Sequence, residues 1–261
     1  MHDPYAWTLD FEALGLVPAL AIGYLLATRR FPAPRWRVAC FAAGLLLILA
    51  AFVSPLHMLS LHYLLSAHLL QNVVLAEWAP ALCVLGLPPA LSAAGRAATV
   101  RFITHPFVAL PLWLGTYFAW HVPAAYDAAL RHPSSLIHVE HACYFVTGLL
   151  FWWPALQNEP HRLSGGAKAV YLFAAFVLAS PLGLLLALIP RAVYHFYIHA
   201  PRLWGLSPLT DQQIGGAAMA LEQAAVLFVA SSYFFLRFLG GEGRADTYRN
   251  LDRSSYNHAG R

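Results

Sequence analysis

The stretch His62-Tyr63-Leu64-Leu65-Ser66-Ala67-His68-Leu69-Leu70-Gln71-Asn72-Val73-Val74-Leu75-Ala76-Glu77-Trp78-Ala79-Pro80-Ala81-Leu82-Cys83-Val84-Leu85-Gly86-Leu87 decides how this chain is read. It is apolar over more than the roughly 20 helical residues needed to cross a hydrocarbon core. It nevertheless carries His68, Gln71, Asn72 and Glu77. Polar groups at membrane depth are costly, so they face the protein interior and mark a path or a site.

Six further segments have the same character: Ala13–Thr28, Val38–Val53, Phe107–Pro123, Leu136–Leu156, Ala169–Pro190 and Ile214–Leu236. Apolar residues make up 59% of the chain and charged ones 11%, with a mean hydropathy of +0.57. Soluble domains carry about a quarter charged residues, so a soluble reading is excluded. The expectation is an all-α integral membrane protein, a seven-transmembrane-helix bundle forming one domain over residues 1–239. A polar cytoplasmic tail is expected over residues 240–261. Small residues such as Gly44, Ala67, Gly115, Gly148 and Ala179 are expected at the helix contacts. Pro80 and Pro181 are expected to kink or break their spans.

Counting Lys and Arg beside the spans sets the orientation. With the N-terminus outside and the C-terminus cytoplasmic, 13 of the 16 lie on the cytoplasmic side; Arg131, Arg191 and Arg202 do not. That bias also accounts for the basic pI of about 9.1 without nucleic acid as a partner. No cationic leader with a cleavage site precedes the first span, so no removed signal peptide is expected. Cys40, Cys83 and Cys143 show no CxxC spacing and read as small buried residues. There is no Gly-rich phosphate loop, zinc-protease HExxH or internal repeat.

Histidine is distributed in the opposite sense. Ten of the 13 fall at the outer end of the spans, and His68, His121, His138 and His141 lie inside spans. At 1.5 Å per residue, His68 is about 9 Å inward of His62 and His141 about 8 Å below the start of its span. On the third span, His68, Gln71 and Asn72 share a face. On the fifth, His138 and His141 are neighbours and Glu140 is expected to point away. On the seventh, Asp211, Gly215, Met219 and Glu222 form a stripe. Glu77 lies near 180° from His68 and is expected outside this layer, neutralised or paired with arginine. His57, His62 and His132 are expected to be solvated. The loop Arg191–Gln213, with Tyr194, Phe196, Tyr197 and Trp204, reads as an interfacial segment over the bundle mouth.

The motifs themselves carry a resemblance. Ser66-Ala67-His68-Leu69-Leu70-Gln71, Ala79-Pro80 and Leu85-Gly86-Leu87-Pro88 are followed by Trp120-His121-Val122-Pro123, His138-Val139-Glu140-His141 and Phe151-Trp152-Trp153-Pro154. Ser207-Pro208-Leu209-Thr210-Asp211-Gln212-Gln213, Gly216 and Met219 complete the series. In this order they resemble the CtaG-like assembly factors of caa-type cytochrome c oxidase, over about Pro55 to Met219. The family commonly has a second histidine after the glutamine, where this chain has Asn72. The resemblance implies a bacterial plasma-membrane assembly factor rather than an enzyme, whose partners are an oxidase subunit and membrane lipid.

Copper is the cargo expected under that reading, because imidazole and thioether ligands accept Cu(I). The expected ligands are His68, His121, His138, His141 and Met219. Gln71, Asn72, Asp211, Gln212 and Glu222 would orient them. Two other readings stand beside it. One is a haem-binding redox protein with His68 and His138 or His141 as axial ligands. The other is a proton-coupled transporter using Glu77, Glu222 and Asp211.

Overall fold

The computed structural model describes residues 3–94 and 97–241. Among them the regular elements are all helical. In order they are α1 (Phe11–Arg30), α2 (Arg35–Val53), α3 (Pro55–His62), α4 (Leu65–Val73), α5 (Ala79–Gly86) and α6 (Pro89–Ala94). Then follow α7 (Ala98–Ile103), α8 (Pro106–Trp120), α9 (Pro123–Arg131), α10 (Leu136–Leu156), α11 (Gly165–Leu188), α12 (His195–His199) and α13 (Pro208–Gln223). A π-turn over Val74–Trp78 joins α4 to α5, and a second over Ala224–Phe228 continues α13. The expected tail beyond residue 241 lies outside the described residues.

Four helices among the described residues are long and apolar enough to cross a membrane: Arg35–Val53, Leu65–Gly86, Gly165–Leu188 and Pro208–Gly241. The remaining expected spans also fall on helices, α1, α8 and α10, but these are shorter or diluted by polar residues. Leu65–Gly86 is the central rod, 72% buried over its apolar window against 11% for Pro208–Gly241. Helices α2, α3, α10 and α13 pack around it. The outward faces carry exposed Ile22, Leu46, Phe107, Val170, Leu188 and Val229, an apolar surface suited to lipid.

Helix starts follow local chemistry. Pro55, Pro106, Pro123 and Pro208 stand at the first helical positions, where a missing N–H costs nothing. Ser54, Ser164 and Ser207 accept hydrogen bonds from the first turns of α3, α11 and α13. Helix α4 is preceded by Leu64, which has no capping side chain, and is capped from another helix instead. Asp211 of α13 accepts hydrogen bonds from Leu65 N at 2.7 Å and Ser66 N at 3.2 Å. Asp211→Ala is therefore expected to destabilise the protein by about 2 kcal/mol, the upper end for a lost cap. A thermal melt in detergent that matches wild type would show that the cap is dispensable.

Two segments differ from expectation. The third span does not begin at His62, because the chain breaks at Tyr63–Leu64 and His62 ends α3. The fourth stops at Trp120, with His121 as its C-cap. Small residues do set the helix contacts. A Cβ on Gly148 would lie 2.4 Å from Ala76 O, and one on Gly216 would lie 2.6 Å from Ala187 N. Gly115 is the exception, with open space around it. Pro181 stays within a continuous α11, whereas Pro80 stands in the first turn of α5, just after the π-turn.

Candidate functional site

The histidine-rich end of the bundle holds a layered polar network. In its first layer Gln71 donates to Ala51 O at 3.0 Å and lies 3.1 Å from His57 Nδ1. Ser60 Oγ donates to Gln71 Oε1 at 2.6 Å. His57 Nε2 is 3.3 Å from Asp10 Oδ2. The expectation that His57 is solvated is thus corrected. It is buried because α3 folds back against α4 and turns it inward. His57→Ala is expected to lower accumulation of the protein in membranes, since Gln71 and Asp10 lose their shared partner. Unchanged accumulation would contradict this packing role. His132, by contrast, is exposed and His62 is half-buried.

The second layer centres on His68, which is fully buried. Tyr197 OH donates to Ser60 O at 2.5 Å, so its one proton is committed. His68 Nδ1, 2.8 Å from Tyr197 OH, must then be the donor. The other nitrogen, Nε2, faces Glu140 Oε1 at 3.5 Å. Asn72 Nδ2 donates to the same carboxylate oxygen at 2.9 Å. Glu140 therefore does not point away, as the helical phase suggested, but is fully buried at the centre of the layer. The inward face of α10 runs through Ile137, Glu140, His141, Tyr144 and Gly148. A face centred on the His138–His141 pair is turned from this one by about a fifth of a turn, at 100° per residue. His138 sits at the margin of that face and is half-buried.

His141 is buried but lies towards α2, edge-on to Phe52 at 5.1 Å between ring centroids and 6.3 Å from His68. His121 serves a third position. Its Nδ1 lies 2.7 Å from Tyr117 O, a carbonyl that can only accept, so Nδ1 carries the proton. Its Nε2 then presents a buried lone pair with no hydrogen-bond partner. Neighbouring it is an enclosed cavity of about 10 Å³, lined by Asn72, Glu77, Tyr117, His121, Tyr144 and Met219 among others. That is room for a single water or ion.

The π-turn at Val74–Trp78 adds a residue to one helical turn and rotates everything beyond it. Glu77, expected on the far side from His68, is thereby swung to the cavity wall. Its partners are Gln223 and Glu222, not arginine.

The other residues expected to orient imidazoles have different partners. Asp211 caps α4, and Gln212 holds Val193 N, Leu186 O and Arg191 O. Glu222 accepts from Trp78 Nε1. Asn72 meets Glu140, and Gln71 meets His57 rather than His68.

The loop Arg191–Gln213 is divided: Trp204 is exposed, as an interfacial segment requires, and Phe196 is half-buried. Tyr194 and Tyr197 are buried within the mouth, Tyr194 OH donating to His121 O at 3.1 Å. Asp127, which the sequence did not single out, anchors this loop by accepting from His195 N and Phe196 N. Its position just after Trp120-His121-Val122-Pro123 is the one signal that could have drawn notice.

Among the described residues, no three His, Cys, Asp or Glu side chains come together so as to hold a metal ion. The polar and sulfur-bearing residues around the cavity are His121, Met219, Asn72, Glu77, Tyr117 and Tyr144.

These features define a helical membrane protein with a buried His–Glu–Tyr network at one end of its bundle. The sequence profile of the cytochrome c oxidase caa3 assembly factor family matches residues 21–240, and the chain belongs to that family. It is also similar to an uncharacterised protein of Mycobacterium leprae, 27% identical over 58% of this chain and 26% of that protein. Uncharacterised proteins of Mycobacterium bovis and Mycobacterium tuberculosis are each 25% identical over 63% of this chain and 28% of theirs. The chain thus matches only about a quarter of the length of these curated relatives. No solved structure matches it.

Proposed function

We propose that this protein serves the maturation of a caa3-type oxidase by holding Cu(I) as cargo at the cavity beside His121. Family membership supplies the oxidase. The observation that carries the cargo reading is the bare Nε2 of His121. It belongs to a ring whose tautomer is fixed by a backbone carbonyl, and Met219 lines the adjoining cavity. A carbonyl-oriented imidazole is the usual form of a metal-ligating histidine. Few donors and no closed cage suit a carrier, because transfer by ligand exchange needs an open position. His68 and Glu140 would hold the neighbouring layer in register. His138 and His141 would contribute only on rearrangement.

The proposed setting is a bacterial plasma membrane crossed seven times, with the histidine-rich end facing outward. The strong bias of Lys and Arg to the opposite end supports that orientation. The protein acts here as a chaperone and not as an enzyme.

Anaerobic titration of the purified full-length protein with Cu(I), against a competing chelator, tests the cargo reading. His121→Ala and Met219→Leu are each expected to weaken binding by more than about tenfold, beyond what loss of an orienting group does. Wild-type affinity in both variants, or no binding by wild type, would overturn it.

A further inference from the structure

Two residues of the central rod and two of α13 clasp each other reciprocally. Trp78 Nε1 donates to Glu222 Oε1 at 2.5 Å, while Gln223 Nε2 donates to Glu77 Oε1 at 3.4 Å. Gln223 Nε2 is itself fixed by Tyr117 OH at 2.9 Å. The clasp sets the Glu77 and Glu222 carboxyls beside one another. Each has its Oε1 satisfied, and each has a buried Oε2 that finds no donor. Glu77 is only 1% exposed.

We propose that Glu77 and Glu222 hold one exchangeable proton between them, forming a buried proton-binding site. The two residues lie near the middles of Leu65–Gly86 and Pro208–Gly241. Two ionised carboxylates in contact at that depth would repel each other in a medium of low dielectric. The donors they receive, an indole N–H and an amide, are both neutral. The titratable groups sharing the cavity with Glu77 are Tyr117 of α8, His121 at its end and Tyr144 of α10. A single proton between the two Oε2 atoms gives both a partner and halves the buried charge, as in other carboxyl dyads.

The backbone is shaped for this site. Glu77 lies within one π-turn and Gln223 immediately precedes the other. Such turns occur frequently at functional positions. Glu222 is half-buried, so the proton has a route of exchange that Glu77 alone lacks. The proposal does not depend on copper.

Infrared spectroscopy of the full-length protein in detergent tests it. Wild type at neutral pH is expected to show a protonated-carboxyl C=O band that shifts in D2O. E77Q/E222Q is expected to lose that band while keeping its far-UV helical signal. Absence of the band in wild type overturns the proposal, as does its full persistence in the double variant. Should that variant not accumulate, E77Q alone decides, since an unaltered band there is equally fatal. Loss of the wild-type band on adding Na+ or K+ at fixed pH would assign the pair to a metal cation and overturn the proton.

Discussion

Gly148→Leu is expected to remove most of the protein from the membrane fraction. A Cβ at this position would meet Ala76 O at 2.4 Å, Pro80 Cγ at 2.7 Å and Ala76 C at 3.0 Å. Two of these atoms are backbone, within or beside a π-turn, and no rotamer change can move them away. Overpacking a tight core typically costs about 1–3 kcal/mol, and a clash against backbone lies at or above that range. The strain falls where α10 presses on the central rod, the contact that places Glu140 beside His68 and Asn72. Gly115→Leu is the matched control, with nothing within 4 Å of its Cβ. Immunoblots of washed membranes should show little Gly148→Leu protein and near-normal Gly115→Leu protein. Equal amounts of both would mean that the α10 approach is looser than described.

The second large effect is expected in oxidase activity. His68→Ala and His121→Ala should lower active oxidase in membranes by about tenfold or more, while reducing the amount of this protein far less. The two act differently. Loss of His121 removes the one imidazole whose Nε2 is bare at the cavity. Loss of His68 leaves Glu140 facing a void, with Asn72 as its side-chain donor, and frees Tyr197 from its ring partner. If these residues were merely interhelical glue, each substitution would cost about 0.6 kcal/mol in a membrane and oxidase would follow protein abundance. His132→Ala is the proper control, being exposed and bonded only to its own helix. His57 does not serve, because it is buried between Asp10 and Gln71. Oxidase activity that tracks abundance in both variants would count against a role for this layer beyond folding.

The copper and proton predictions share a cavity through Glu77 but have separate readouts. Met219→Leu alters the thioether of the cavity that Glu77 also lines, but leaves in place Trp78 and Gln223, the donors of the Glu77–Glu222 clasp. E77Q/E222Q alters the clasp without touching His121 Nδ1 or its carbonyl partner. A loss of Cu(I) affinity with an intact carboxyl band, or the converse, is therefore informative about one proposal alone.

Membrane character, the helical class, the central importance of residues 62–87 and the gathering of histidines at one end follow from the sequence alone. Hydropathy and charge placement are local sums, and lipid acts on them before any helix meets another. The motif residues His68, Gln71, Asn72, His121, His141 and Met219 are likewise legible, and all are buried. Their partners are not. Whether Glu140 faced in or out depended on which stripe of α10 met the rod, and the His138–His141 spacing gave the wrong stripe. Where Glu77 pointed depended on a π-turn, a one-residue slip in hydrogen bonding that leaves no mark on apolar periodicity. Asp211 acts on a helix start 146 residues away, and Tyr197 on a histidine 129 residues away. Such long-range pairings are fixed only when close packing at Gly148, Gly183 and Gly216 brings the helices into register. Tertiary structure thus decided which polar groups share a proton, which cap a helix and which are left with a bare lone pair.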